Sequence, residues 1–101
     1  MKLPVVAMVL SLLPLFANAG DAAAGKAKTA ICASCHGLDG RATVPTYPNL
    51  AGQNEAYLVV ALKAYQNGQR TSANAQIMAP MAKMLSATDV ENVAAYYSSL
   101  K

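Results

Sequence analysis

The sequence predicts an all-α domain. Apolar residues recur at i, i+3, i+4 and i+7 in two separate stretches, helix-starting residues stand before each of them, and no alternating run of strand type is present. The prediction concerns residues 20–101. Residues 1–19, "MKLPVVAMVLSLLPLFANA", read as a leader: Lys2 gives a positive start, an apolar run from Leu3 to Phe16 is broken by Pro4 and Pro14, and Ala17, Asn18 and Ala19 supply a small-x-small cut site. The run is short of the ~20 residues that span a bilayer. Export and cleavage after Ala19 are therefore expected, with no stable membrane insertion afterwards.

The first helix is expected to start at Asp21, an N-cap, and to run through "AAAGKAKTAICASC" on its Ala-rich composition. Gly25 stands inside it. A glycine there costs ~1 kcal/mol against alanine, and close approach of another backbone or a ring is the usual compensation. The second helix is expected over Asn54 to Asn67, with Leu58, Ala61, Leu62 and Tyr65 on one face and Gly68 as its left-handed stop. The last starts at Ser86, with Asp89 completing a capping box, and carries Val90, Val93, Ala94 and Tyr97 on its apolar face. Two long connections remain, His36 to Gln53 and Gly68 to Leu85. Connections of that length in a small domain are usually wrapped around something.

A domain this small buries only ~60% of its unfolded surface and generally needs a staple. Two cysteines three residues apart close too short a loop to provide it. Charge argues against one class of partner. The net charge of +3 includes Lys2, and neither a basic run nor basic residues interleaved with aromatics occurs, so nucleic-acid binding has little support.

The chemistry is concentrated in "AICASCHGLDG", which holds Cys32, Cys35 and the sole histidine, His36. Cys-x-x-Cys-His is the attachment pattern for c-type haem: the thiols add to the two porphyrin vinyl groups and the adjacent imidazole reaches the iron. A thioredoxin-like redox site uses the same thiol spacing but sits between a strand and a helix, and no strand precedes Cys32. Structural zinc takes four Cys or His ligands, against three here. Haem attachment is the expected reading, and a covalent apolar ring would also be the missing staple.

Residues 20–101 resemble a class I cytochrome c of the small exported bacterial type, and one half of the dihaem cytochromes c4. The resemblance rests on "GDAAAGKAKTAICASCHGLDG", "YPNLAGQ", "MAPM" and "ATDVENVAAYYSSL" in that order. It implies the class I cytochrome c fold, three main helices and loops wrapped around one covalent haem c, with first and last helices crossing at Gly25 against Tyr96 or Tyr97.

Met78, Met81 and Met84 are the candidates for a sixth ligand. Pro80 disfavours helix at Ala79, which places Met78 in an extended loop, while Met81 and Met84 share a short helix that follows and pack. In the family's Met-x-x-Met pattern the first methionine is the ligand, which implies Met78, with Met81 as the alternative and Met84 in the core. The resemblance also implies a proline carbonyl that fixes the ligating imidazole, and Pro45 matches by position. Tyr47, Pro48, Asn49 and Leu50 are expected at the pocket edge. Arg70 is open to two readings, a partner for a haem propionate or a solvated loop side chain.

With His36 on one face of the iron and methionine on the other, no position is open to substrate. The expected function is a periplasmic one-electron carrier, not an enzyme, working between membrane-bound or soluble redox proteins as a monomer or weak homodimer. The alternatives are an electron-transfer subunit of a larger oxidoreductase, a haem peroxidase, and a thiol-disulfide oxidoreductase.

Overall fold

Local side-chain chemistry sets where three of the helices of this computed structural model begin. The structure describes residues 20–101, so the leader expected at 1–19 lies outside the described residues. Among the described residues there are five helices, α1 (Ala22–Lys26), α2 (Ala30–His36), α3 (Glu55–Gln66), α4 (Ala75–Lys83) and α5 (Ala87–Ser99), and no strand. The all-α expectation stands.

Asp21 caps α1, its carboxylate accepting from the backbone N–H of Ala23 at 3.0 Å and of Ala24 at 3.2 Å. The expected single first helix is broken into α1 and α2. Lys28 and Thr29 turn back by three-residue bonds to Gly25 and Lys26, and the buried Thr29 hydroxyl also donates to the Lys26 carbonyl at 2.8 Å. A β-branched residue that offers the backbone this competing partner outweighs the helix preference of the surrounding alanines.

Asn54 caps α3 by accepting from Tyr57 N–H at 2.9 Å, and Gly68, at φ 78°, turns the chain out of its far end. The Ser86–Asp89 capping box at the start of α5 is complete in both directions, each bond 3.0 Å. Helix α4 departs from expectation. It starts at Ala75 and runs through Pro80, so Met78 lies on a helix and not in an extended loop. Pro80 removes one interior bond, that to the exposed Gln76 carbonyl, where water can replace it.

Helix α5 packs against α1 and α3, and α4 packs against α3. At the α1–α5 crossing a methyl group on Gly25 would overlap the Asn92 carbonyl, and the Asn92 side chain accepts from Asp21 N–H at 2.8 Å. Gly25 thus meets the backbone of α5 rather than a tyrosine ring. The core cluster is Leu58, Val93, Ala94 and Tyr97, with Cys32, Leu50, Leu62 and Tyr96 against it. Because Cys32 belongs to this packing, the motif is anchored to the crossing of the terminal helices.

Candidate functional site

Helix α2 places Cys32 and Cys35 about one turn apart, both as free thiols, and ends on His36, which is 6% exposed. His36 Nδ1 lies 2.9 Å from the Pro48 carbonyl oxygen. That carbonyl can only accept, so Nδ1 carries the proton and Nε2 is left with its lone pair, as a metal ligand requires.

The expectation that Pro45 supplies this carbonyl is corrected. Tyr47 N–H bonds to the Val44 carbonyl at 3.0 Å, which makes Pro45 the second residue of an exposed turn, a position suited to its fixed φ. The Gly40 carbonyl accepts from Leu50 at 2.7 Å and from Ala51 at 3.0 Å, and Asn49 Oδ1 accepts from Ala42 N–H at 2.7 Å. These bonds bring the returning limb of the loop, not its tip, beside the imidazole. The sequence points to Pro48 only as part of the pocket edge, through its place in "YPNL".

Beyond His36 a cavity of about 290 Å³ opens between α2, the Tyr47–Leu50 segment, α3 and α4. Its walls are mainly apolar, with Leu58 and Leu62 from α3 and Val93 from α5. Cys32, Cys35, His36, Met78 and Met81 all reach it; Pro45 and Met84 do not. Met84 is 61% exposed, which corrects its assignment to the core: α4 ends at Lys83, and Met84 caps the helix on its solvent side. Met78 is half-buried and Met81 is 37% exposed.

Cys32 is not tuned for exchange chemistry. Burial pushes the Cys32 thiol up, with the neighbouring Cys35 adding to the shift, whereas a reactive redox cysteine is held low. Nor do the described residues contain a group of three or more His, Cys, Asp or Glu side chains able to hold a metal ion, which leaves the zinc reading without a donor set. The donors fit haem c: two vinyl-reactive thiols on one helix, a nitrogen ligand oriented by its second ring atom, and soft thioethers on another helix. A further sign is the Tyr97 hydroxyl, fully buried and without a hydrogen-bond partner on the wall shared with Cys32.

The cytochrome c family profile matches residues 22–101. Cytochrome c-554(548) of Halomonas halodenitrificans is 54% identical over 81 residues, 80% of this chain and 98% of that protein. Cytochrome c4 of Pseudomonas aeruginosa is 43% identical over 94 residues, 93% of this chain and 45% of that one. The crystal structure of reduced recombinant cytochrome c4 from Pseudomonas stutzeri superposes with a TM-score of 0.73 at 43% identity, covering 82% of this chain and 47% of that one. The chain therefore spans about half the length of the cytochromes c4 it matches and nearly all of the cytochrome c-554(548).

Proposed function

Because this chain belongs to the cytochrome c family and is a haem c electron carrier by that membership, we propose that it works in the periplasm, with the porphyrin bonded to Cys32 and Cys35 and the iron held by His36 and Met78. When bound, the haem supplies a one-electron ferric/ferrous couple. The protein supplies the rest.

The observation that carries the proposal is the His36–Pro48 bond at the mouth of an apolar cavity that Met78 also lines. The Pro48 carbonyl fixes the imidazole plane and makes Nε2 a better donor, so ligand geometry is held constant while charge changes. Met78 contributes a soft sulfur that favours ferrous over ferric iron and raises the potential. Among the two cavity-lining methionines Met78 is the less exposed, which supports it over Met81 as ligand. Leu58, Leu62 and Val93 keep water from the ring, which limits solvent reorganisation on electron transfer. With His36 and Met78 both holding the iron, no site would remain for substrate, and the protein would act as a carrier rather than an enzyme.

No helix of the described residues is long and apolar enough to cross a membrane. The leader expected at 1–19 supports export, and the domain that begins at Gly20 then meets donor and acceptor redox proteins as a monomer or weak homodimer. The absorption spectrum of the purified protein tests the assignment. Narrow reduced bands with a thioether-to-iron charge-transfer feature in the oxidised form are expected; a high-spin spectrum would replace the carrier with a peroxidase.

A further inference from the structure

Helix α4 carries Met78, and one side chain of the neighbouring helix clamps its far end. Gln66, the last residue of α3, donates from Nε2 to the Ala82 carbonyl at 2.8 Å and to the Leu85 carbonyl at 3.0 Å. Among the described residues these are the side-chain hydrogen bonds that join α3 to α4 and its exit turn. Both partners can only accept. The amide nitrogen, with its two protons, is therefore the end of Gln66 that belongs between them.

The clamp closes on a tightened helix end. Met84 N–H bonds to the Met81 carbonyl at 3.2 Å and Leu85 N–H to the Ala82 carbonyl at 3.1 Å, both three-residue spacings. Ala82 and Leu85 are buried, so taking the amide away leaves carbonyls that have lost a donor where water has poor access. The other end of α4 is held differently. The N–H groups of Ala75, Ile77 and Met78 bond to the Ser72 and Asn74 carbonyls, which are local bonds that travel with the segment.

Register connects the clamp to the methionine. Ala82 follows Met78 by four residues, which places the two one turn apart on one face of α4, and both line the cavity together with Leu85. Pro80 stands between them with its φ fixed by the ring, so the intervening turn is stiff. A movement of α4 that draws Met78 out of the cavity therefore also draws Ala82 away from Gln66. We propose that Gln66 is a positioning residue for the sixth ligand: its amide clamps the last turn of α4 and holds Met78 in the cavity against displacement by an external ligand. The inference rests on the haem-carrier reading with Met78 as ligand.

The test is a titration of the haem-loaded ferric protein with imidazole, whose nitrogen replaces the thioether sulfur on the iron with no change of oxidation state. Loss of the thioether-to-iron charge-transfer band reports the exchange. Gln66→Leu keeps a good helix former but cannot donate, and is expected to lose the band at a roughly tenfold lower imidazole concentration than wild type, the worth of two modest hydrogen bonds. Gln66→Arg restores donors without adding an iron ligand and is expected to return toward wild type. Gln66→Glu, which turns a carboxylate toward the two carbonyls, is expected to shift at least as far as Gln66→Leu and decides the matter should that variant fail to accumulate. An unchanged imidazole midpoint in the deciding variant, with only a lower melting point, would make Gln66 a plain interhelix staple and overturn the inference. So would an arginine variant no closer to wild type than the variant without a donor. Wild-type protein that lacks the charge-transfer band before any imidazole is added would instead overturn the ligand reading itself, and the inference with it.

Discussion

The imidazole of His36 is pinned by the carbonyl of Pro48, 2.9 Å from Nδ1, while Pro45 stands in an exposed turn three residues earlier. The two prolines are therefore predicted to separate on substitution. Pro45→Ala should leave the reduction potential unchanged and stability within ~1 kcal/mol. Pro48→Gly should loosen the segment that carries the carbonyl, lower stability by ~1 kcal/mol or more, and shift the potential. Voltammetry and thermal melts of both variants check this, and equal effects would contradict it.

Gly25 faces the Asn92 carbonyl across the α1–α5 crossing with no space for a methyl group. Gly25→Ala is expected to cost ~3 kcal/mol, because the obstacle is backbone and cannot rotate away. In a domain of this size that lowers the thermal midpoint by ~10 °C or more. Gly68, with open space around it but φ 78°, should cost only ~1 kcal/mol on the same change. A melt that ranks the two the other way would contradict the packing described.

The three methionines of the "MAPMAKM" stretch are predicted to be unequal. Met78→Ala should abolish the thioether charge-transfer band and lower the potential, whereas Met81→Ala should retain both. Met84→Ala should do neither and change stability by less than ~0.5 kcal/mol, being a solvent-side cap residue. Loss of the band in Met81→Ala instead would exchange the ligand assignment.

The terminal elements were legible in the sequence because their signals are local. Asp21 as a cap, Asn54 before α3 and the Ser86–Asp89 box each act through bonds to residues two or three positions away. Cys-x-x-Cys-His was legible because its spacing is that of the chemistry itself. What was missed depends on long-range geometry. Pro48 reaches His36 only because Gly40 and Asn49 fold the loop back. The α1–α2 break hangs on Thr29, whose hydroxyl competes in a run that alanine composition favours as helix. Pro80 signals a helix start in the sequence, but α4 begins at Ala75 and tolerates one lost bond on an exposed face.

Tyr97 buries a hydroxyl with no partner, and that burial pushes its pKa well above the usual phenol value. Tyr97→Phe removes the unsatisfied group and should leave stability unchanged or raise it by up to ~2 kcal/mol. The sign with pH follows from linkage. The folded state holds the phenol proton more tightly than the unfolded chain, so this contribution is complete below pH ~10 and is lost as pH rises beyond it. Chemical denaturation between about pH 9 and about pH 11 should show a shallower alkaline loss in Tyr97→Phe than in wild type; identical slopes would contradict the assignment.

The intact mass of the purified, denatured protein tests the haem attachment most directly, since a thioether-bonded porphyrin stays with the chain after unfolding. The predicted value is the polypeptide from Gly20 to Lys101 plus one haem. A mass equal to the bare polypeptide, from cells competent to attach haem, would contradict the attachment at Cys32 and Cys35 on which the carrier function depends.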